Sequence, residues 1–129
     1  MSAPQTTIGL LADHPGFVPV IARWLFDEFG YLIPGKTLPC VEESLRARMN
    51  RDRIPLCLVA LRGVAPVGTV SLKESDMDSR TELTPWLAGL FVRPDLRGAG
   101  LGARLVGAIM EEASRLGAHE LFLYTPSAA

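Results

Sequence analysis

The stretch LFVRPDLRGAGLGARLV, residues 90–106, constrains the architecture more than any other part of the chain. An apolar strand pattern ends at Val92, and Pro94, lacking a backbone N–H, forbids simple continuation of the ladder. Arg97 and the glycines at 98, 100 and 102 then lead straight into a helical pattern over residues 100–116. Leu101, Leu105, Ile109, Ala113 and Leu116 line one side of that helix, with Val106 and Met110 beside them. Glu111, Glu112 and Arg115 face water, and Gly117 suits the C′ position. A strand joined to an amphipathic helix by such a turn belongs to a layered structure in which helices pack on a sheet.

The same turn has a chemical reading. Gly98, Gly100 and Gly102 permit tight backbone geometry and close approach by a ligand. The free N–H groups of the first helical turn point into the loop, where the helix dipole favours an anion. Arg97 adds an always-charged donor, so the segment reads as a pyrophosphate cradle. A Walker A loop is excluded, because Ala103 and Arg104 stand where Lys and Ser or Thr are required. A dinucleotide fingerprint is excluded as well: the spacing is G-x-G-x-G, without an alternating βαβ context.

The rest of the chain supplies the layers. Residues 7–12 read as a first strand and 16–29 as an amphipathic helix marked by Val18, Ile21, Leu25 and Phe29. Pro19 is tolerated only near its first turn, so the helix can begin as late as Val18. A second helix is expected from about Val41 to Arg51, with Val41, Leu45 and Met49 buried. The continuous apolar run at 56–62 reads as a strand buried on both faces. Strands at 67–75 and 86–92 continue an antiparallel meander, and 120–125 is a fifth strand after the long helix. The order is β-α-α-β-β-β-α-β in a mixed sheet with flanking helices.

Composition removes several classes of function. The chain has 129 residues, room for one domain spanning 1–129, and its 48% apolar content is that of an ordinary globular core. Thirteen Lys plus Arg against fourteen Asp plus Glu argues against a nucleic-acid binder that depends on a broad basic field. Cys40 and Cys57 are too few for a disulfide scaffold, and no His/Cys ladder suggests a metal. No basic segment precedes an apolar run at the N-terminus, and no apolar stretch reaches the roughly 18 residues of a membrane span. No membrane partner is expected, and the expected compartment is cytoplasmic.

The turn resembles the signature of the GNAT superfamily of acyl-CoA-dependent N-acetyltransferases, [RQ]-x-x-G-x-[GA] between the fourth strand and the third helix. The matching residues are Arg97-Gly98-Ala99-Gly100-Leu101-Gly102, preceded by WLAGLFVRPDLRG in place of the usual apolar strand plus V-x-P-x-x-R-G. The resemblance runs from the first strand through the fifth and implies an α/β (α+β) GNAT-like fold. It implies acetyl-CoA as cosubstrate, with the pantetheine arm along the backbone of Leu90, Phe91 and Val92. It further implies the pyrophosphate on backbone N–H groups of Arg97, Gly98, Ala99, Gly100, Leu101 and Gly102. The Arg97 side chain is expected beside a phosphate or the ribose, or, as in some relatives, serving mainly the loop itself.

The same resemblance implies a carboxylate base on or beside the fourth strand. Residues 86–92 contain none, and the nearest is Glu82, with Glu74 and Asp76 across the meander turn. Trp24, Phe26, Phe29 and Tyr31 come from the region that forms one acceptor wall in relatives, and Trp86 stands as a candidate for the opposite wall. Cys57 lies inside a buried strand, which argues against a thiol acyl intermediate and for direct attack by the amine. Relatives continue after the fifth strand with a helix that carries a proton-donating Tyr, then two more strands. This sequence reads TPSAA there, so a C-terminally shortened domain, completed by further residues or by a second copy, is expected. The expected function is acetyl transfer from acetyl-CoA to a primary amine of a small molecule or peptide. The alternative is an acyl-CoA-binding protein or subunit impaired in turnover.

Overall fold

The computed structural model describes residues 6–29, 35–73, 85–98, 100–118 and 122–123. Five strands form one sheet in chain order: β1 (Thr6–Leu10), β2 (Leu56–Arg62), β3 (Ala65–Lys73), β4 (Trp86–Val92) and β5 (Phe122–Leu123). The first four are antiparallel neighbours, and β4 pairs with β5 in parallel. Three helices accompany them: α1 (Val18–Phe29), α2 (Leu38–Arg46) and α3 (Leu101–Arg115). The order is the β-α-α-β-β-β-α-β read from the sequence.

Side chains alternate across the pleat, so β2 and β3 serve two cores at once. Leu56, Leu58, Ala60, Val70 and Leu72 face α3 and pack with its Leu101, Leu105, Ile109 and Ala113. Cys57, Val59 and, from β4, Phe91 face the other way, against Leu11, Ile21, Leu25, Val41 and Leu45 around α1 and α2. Burial on both faces explains the unbroken apolar run of β2. Gly68 of β3 lets α3 approach: a Cβ there would come within 3.0 Å of Leu105 Cδ1 and of the Phe91 carbonyl oxygen.

Several boundaries differ from the sequence reading. Residues 11 and 12, read as the end of the first strand, belong to a 3-10 turn at Leu11–Asp13, and another at Pro15–Phe17 precedes α1. α2 starts at Leu38 rather than Val41, because the Thr37 side chain accepts from the Cys40 N–H and Pro39 fits the first turn. It ends at Arg46 rather than Arg51, because the chain turns to deliver the Arg48 carbonyl to the N–H of Cys57 on β2. β3 begins at Ala65 rather than Val67 and is described as far as Lys73; residues 74 and 75 of the sequence reading lie outside the described residues. Met110, read as flanking the buried line, is exposed on α3. Gly117, at φ 91°, closes α3 with its N–H on Ser114 O and the Ala118 N–H on Ala113 O, a Schellman ending.

Candidate functional site

β4 lies between β3 and the short described strand β5. Its described pairing with β5 covers Trp86 with Phe122 and Leu87 with Leu123. Among the described residues, no strand partners the β5 side of Ala88–Val92, the stretch that contains Leu90, Phe91 and Val92. The opposite side carries an irregularity. Ala88 pairs with Ser71 and Phe91 with Thr69, so Gly89 and Leu90 stand opposite Val70 alone. This is a β-bulge, and Gly89 takes it at φ 61°, a left-handed conformation that suits glycine.

Beyond Val92 the chain makes a 3-10 turn at Pro94–Leu96 and reaches the glycine loop. Gly98 and Gly100 adopt φ 89° and 82°, and a Cβ built on either meets nothing within 4 Å. The backbone there is shaped by glycine, and the space above it is open. Gly100 is the N-cap of α3, and the first helical bond runs from the Arg104 N–H to Gly100 O. The N–H groups of Leu101, Gly102 and Ala103 therefore precede the first intrahelical acceptor and are available to an anion. Gly102 seats the helix start on β4, 4.0 Å by its virtual Cβ from Val92 Cγ2. These features fit a pyrophosphate with its attached arm running along β4.

The Arg97 side chain bonds to the chain just before the loop. Its Nε donates to Val92 O at 2.9 Å, its guanidinium lies 5.3 Å from the centroid of the Phe91 ring, and it approaches Glu28 of α1 at 3.9 Å. Its backbone N–H is turned onto Pro94 O. Phe91 stacks in turn on Trp24 of α1, with centroids 5.2 Å apart. Arg97 thus ties the end of β4 to the α1 wall instead of reaching into the loop. Glu82, Ala99, Glu74, Asp76 and Tyr31 lie outside the described residues.

A polar cluster that the sequence reading did not single out lies on the α1/α2 face. Thr69 Oγ1 donates to Leu58 O at 2.8 Å and is 3.2 Å from Cys57 Sγ. Arg48 Nη1 donates to Ser71 Oγ at 3.0 Å and its Nη2 to Ser44 Oγ at 2.9 Å. Burial pushes the Cys57 thiol pKa up, with the neighbouring hydroxyls and the Arg48 charge acting the other way. Cys57 is therefore a protonated core residue, and Cys40 is exposed. Two signals pointed here: an isolated glycine inside the WLAGLFV strand, and hydroxyls two residues apart in β3.

Comparison with known proteins agrees with this geometry. The fold is shared with an aminoglycoside N-acetyltransferase, AAC(6')-Iy, solved with CoA, at 16% identity and a TM-score of 0.75 over 98% of this chain and 80% of that one. It is shared with a predicted acetyltransferase from Clostridium acetobutylicum, solved with acetyl-CoA, at 14% identity and a TM-score of 0.71 over 95% and 82%. A glucosamine-6-phosphate N-acetyltransferase from Arabidopsis thaliana aligns at 16% identity and a TM-score of 0.62 over 95% and 84%. No curated protein sequence gives a significant match. The profile of the acetyltransferase (GNAT) family matches residues 18–128, which include β4 and the glycine-shaped start of α3, and the chain belongs to that family.

Proposed function

We propose that the protein transfers an acetyl group from acetyl-CoA to a primary amine of a small molecule or peptide, by direct attack. The observation that carries this reading is the junction of β4 and α3: a strand edge without a described partner leads into a helix N-terminus stripped of side chains by Gly98, Gly100 and Gly102. Acetyl-CoA supplies the activated thioester. Leu90, Phe91 and Val92 hold the pantetheine arm by backbone hydrogen bonds, and the N–H groups from Gly98 to Gly102 hold the pyrophosphate. A backbone N–H of the β4 bulge polarises the thioester carbonyl. Glu82 takes the amine proton, directly or through a water, as the C–N bond forms and the C–S bond breaks. The leaving thiolate takes a proton from water and Glu82 releases the amine proton to water, so no net charge accumulates.

The similarity to enzymes named for aminoglycoside and glucosamine 6-phosphate acceptors supports an amine acceptor and suggests a panel for testing. Calorimetry with acetyl-CoA, followed by thiol release with saturating aminoglycosides, amino sugars and peptides, decides between the readings. Tight binding with amine-dependent thiol release supports the enzyme. Binding without release from any amine would instead identify an acyl-CoA-binding protein or subunit. For an active parent, Glu82→Gln is expected to lower kcat/KM roughly 10- to 1000-fold and to remove the low-pH limb of the rate profile. A pH–rate curve unchanged by the substitution discards Glu82 as the base.

A further inference from the structure

Arg48 is the one charged side chain buried among the described residues, 8% exposed, and the acetyl-transfer reading gives it no task. Taking a guanidinium out of water is costly unless hydrogen bonds hold it, so where those bonds run says what the side chain fastens together. Its backbone is pinned first: the Arg48 N–H bonds to Leu45 O and its carbonyl accepts from Cys57 of β2. Its side chain then bridges two hydroxyls, Ser44 on α2 and Ser71 on β3. Ser71 is the register partner of Ala88, immediately before the bulge. A Cβ built on Gly89 would lie 3.7 Å from Arg48 Nη1 and 3.6 Å from Leu25 Cδ2. The planar fork therefore backs the bulge at Gly89 from the α1/α2 side, while the opposite face of the sheet is packed by α3.

We propose that Arg48 is a positioning residue for acetyl transfer. Held by Ser44 and Ser71, its guanidinium fixes the Gly89–Leu90 bulge of β4, so that the strand's backbone N–H is aimed at the thioester carbonyl. This rests on the acetyl-transfer reading above. In this role Arg48 acts through the strand rather than on the reacting atoms. A backbone donor has no rotamer to adjust, so its aim depends on what holds the strand, and misplacement of about 1 Å can cost on the order of 100-fold in rate. Lysine keeps the charge but cannot span both hydroxyls as a fork does.

The test uses the full chain and counts active sites by calorimetric titration with CoA. Arg48→Ala is expected to lower kcat per CoA-binding site at least 30-fold while leaving the CoA dissociation constant within threefold. Millimolar methylguanidinium should restore part of that loss. Hydrogen exchange read by mass spectrometry should rise in the peptide spanning Ala88–Phe91 and stay unchanged across α3. Arg48→Lys, which keeps charge and most of the volume, should lose 5- to 10-fold in kcat and serves if the alanine variant does not fold. A kcat per site within threefold of the parent in either folded variant overturns the proposal, as does β4 exchange that does not respond. A parent that binds CoA but acetylates no amine overturns the transfer reading and this inference with it. An active parent with an equally active Arg48→Ala overturns this inference alone.

Discussion

The two faces of the sheet are built differently. The face under α3 is aliphatic throughout its buried members: leucines, valines, alanines and Ile109. The face under α1 and α2 has its own apolar cluster, yet the buried polar side chains Arg48, Thr69 and Ser71 stand there beside Cys57. Each of the three has a hydrogen-bond partner, which a buried polar group needs to avoid a desolvation cost of about 1–3 kcal/mol. One face secures the fold by area alone. The other gives up some of that economy to hold the β4 bulge and the aromatic stack of Trp24 and Phe91, and it is the side on which the acceptor wall was expected.

That division is most severely tested by Leu105, fully buried in α3 beside Gly68. Leu105→Ala removes apolar area and leaves a cavity, with an expected loss of about 2–5 kcal/mol in unfolding free energy. Thr69→Val on the other face removes a hydroxyl at constant volume, with an expected cost of about 0.5–1.5 kcal/mol. Urea unfolding of both variants measures the contrast. Equal losses, or a larger one at Thr69, break the idea that the α3 face carries the greater share of stability.

The second test moves to the loop where α3 begins. Gly100→Asp puts a negative charge at the proposed anion site, but it also loads a left-handed residue, φ 82°, with a side chain. Gly100→Asn separates the two effects, since Asn has nearly the same shape, tolerates that conformation better than most residues and is neutral. The aspartate variant is expected to bind CoA more than tenfold more weakly than the asparagine variant, a difference above about 1.4 kcal/mol. Calorimetry giving equal affinities for the two removes the anion from the α3 terminus.

How far these features were legible follows from how local they are. Gly117, Gly98 and Gly100 announce themselves in sequence, because each takes a left-handed backbone that neighbouring residues alone require. The strand β4 and the buried line of α3 were legible for a similar reason, being periodic over adjacent turns. The start of α2 was misread because the apolar line at Val41 outweighed the cap at Thr37. Its end was misread because a bond to β2 stops it, and that contact is not local. Arg48 was invisible for the same reason: Ser71 is 23 residues away, and only the sheet brings it near. The Arg97 side chain meets Val92 and Phe91, partners five and six positions back, the loop-serving reading that some relatives imply.

The smallest effect belongs to the thiols, and it probes whether the polar face is as dry as its hydrogen bonds imply. Cys40 is exposed and Cys57 buried, with the Cys57 pKa raised from 9.0 chiefly by burial. A disulfide reagent at neutral pH should label Cys40 alone in the folded chain and both thiols in denaturant; the reaction needs thiolate and access, and Cys57 offers neither. Because the folded pKa is raised, the folded state holds the Cys57 proton more tightly than the unfolded chain does. Its stabilising contribution is fully present below the unfolded pKa of 9.0 and is lost as pH rises towards the folded value. Unfolding midpoints should therefore fall faster with pH above that point in the parent than in Cys57→Ala, where the titrating group is gone. Prompt labelling of Cys57 in the native protein, or parallel pH profiles for the two proteins, means that water reaches the cluster behind Thr69 and Ser71, and the contrast between the faces weakens accordingly.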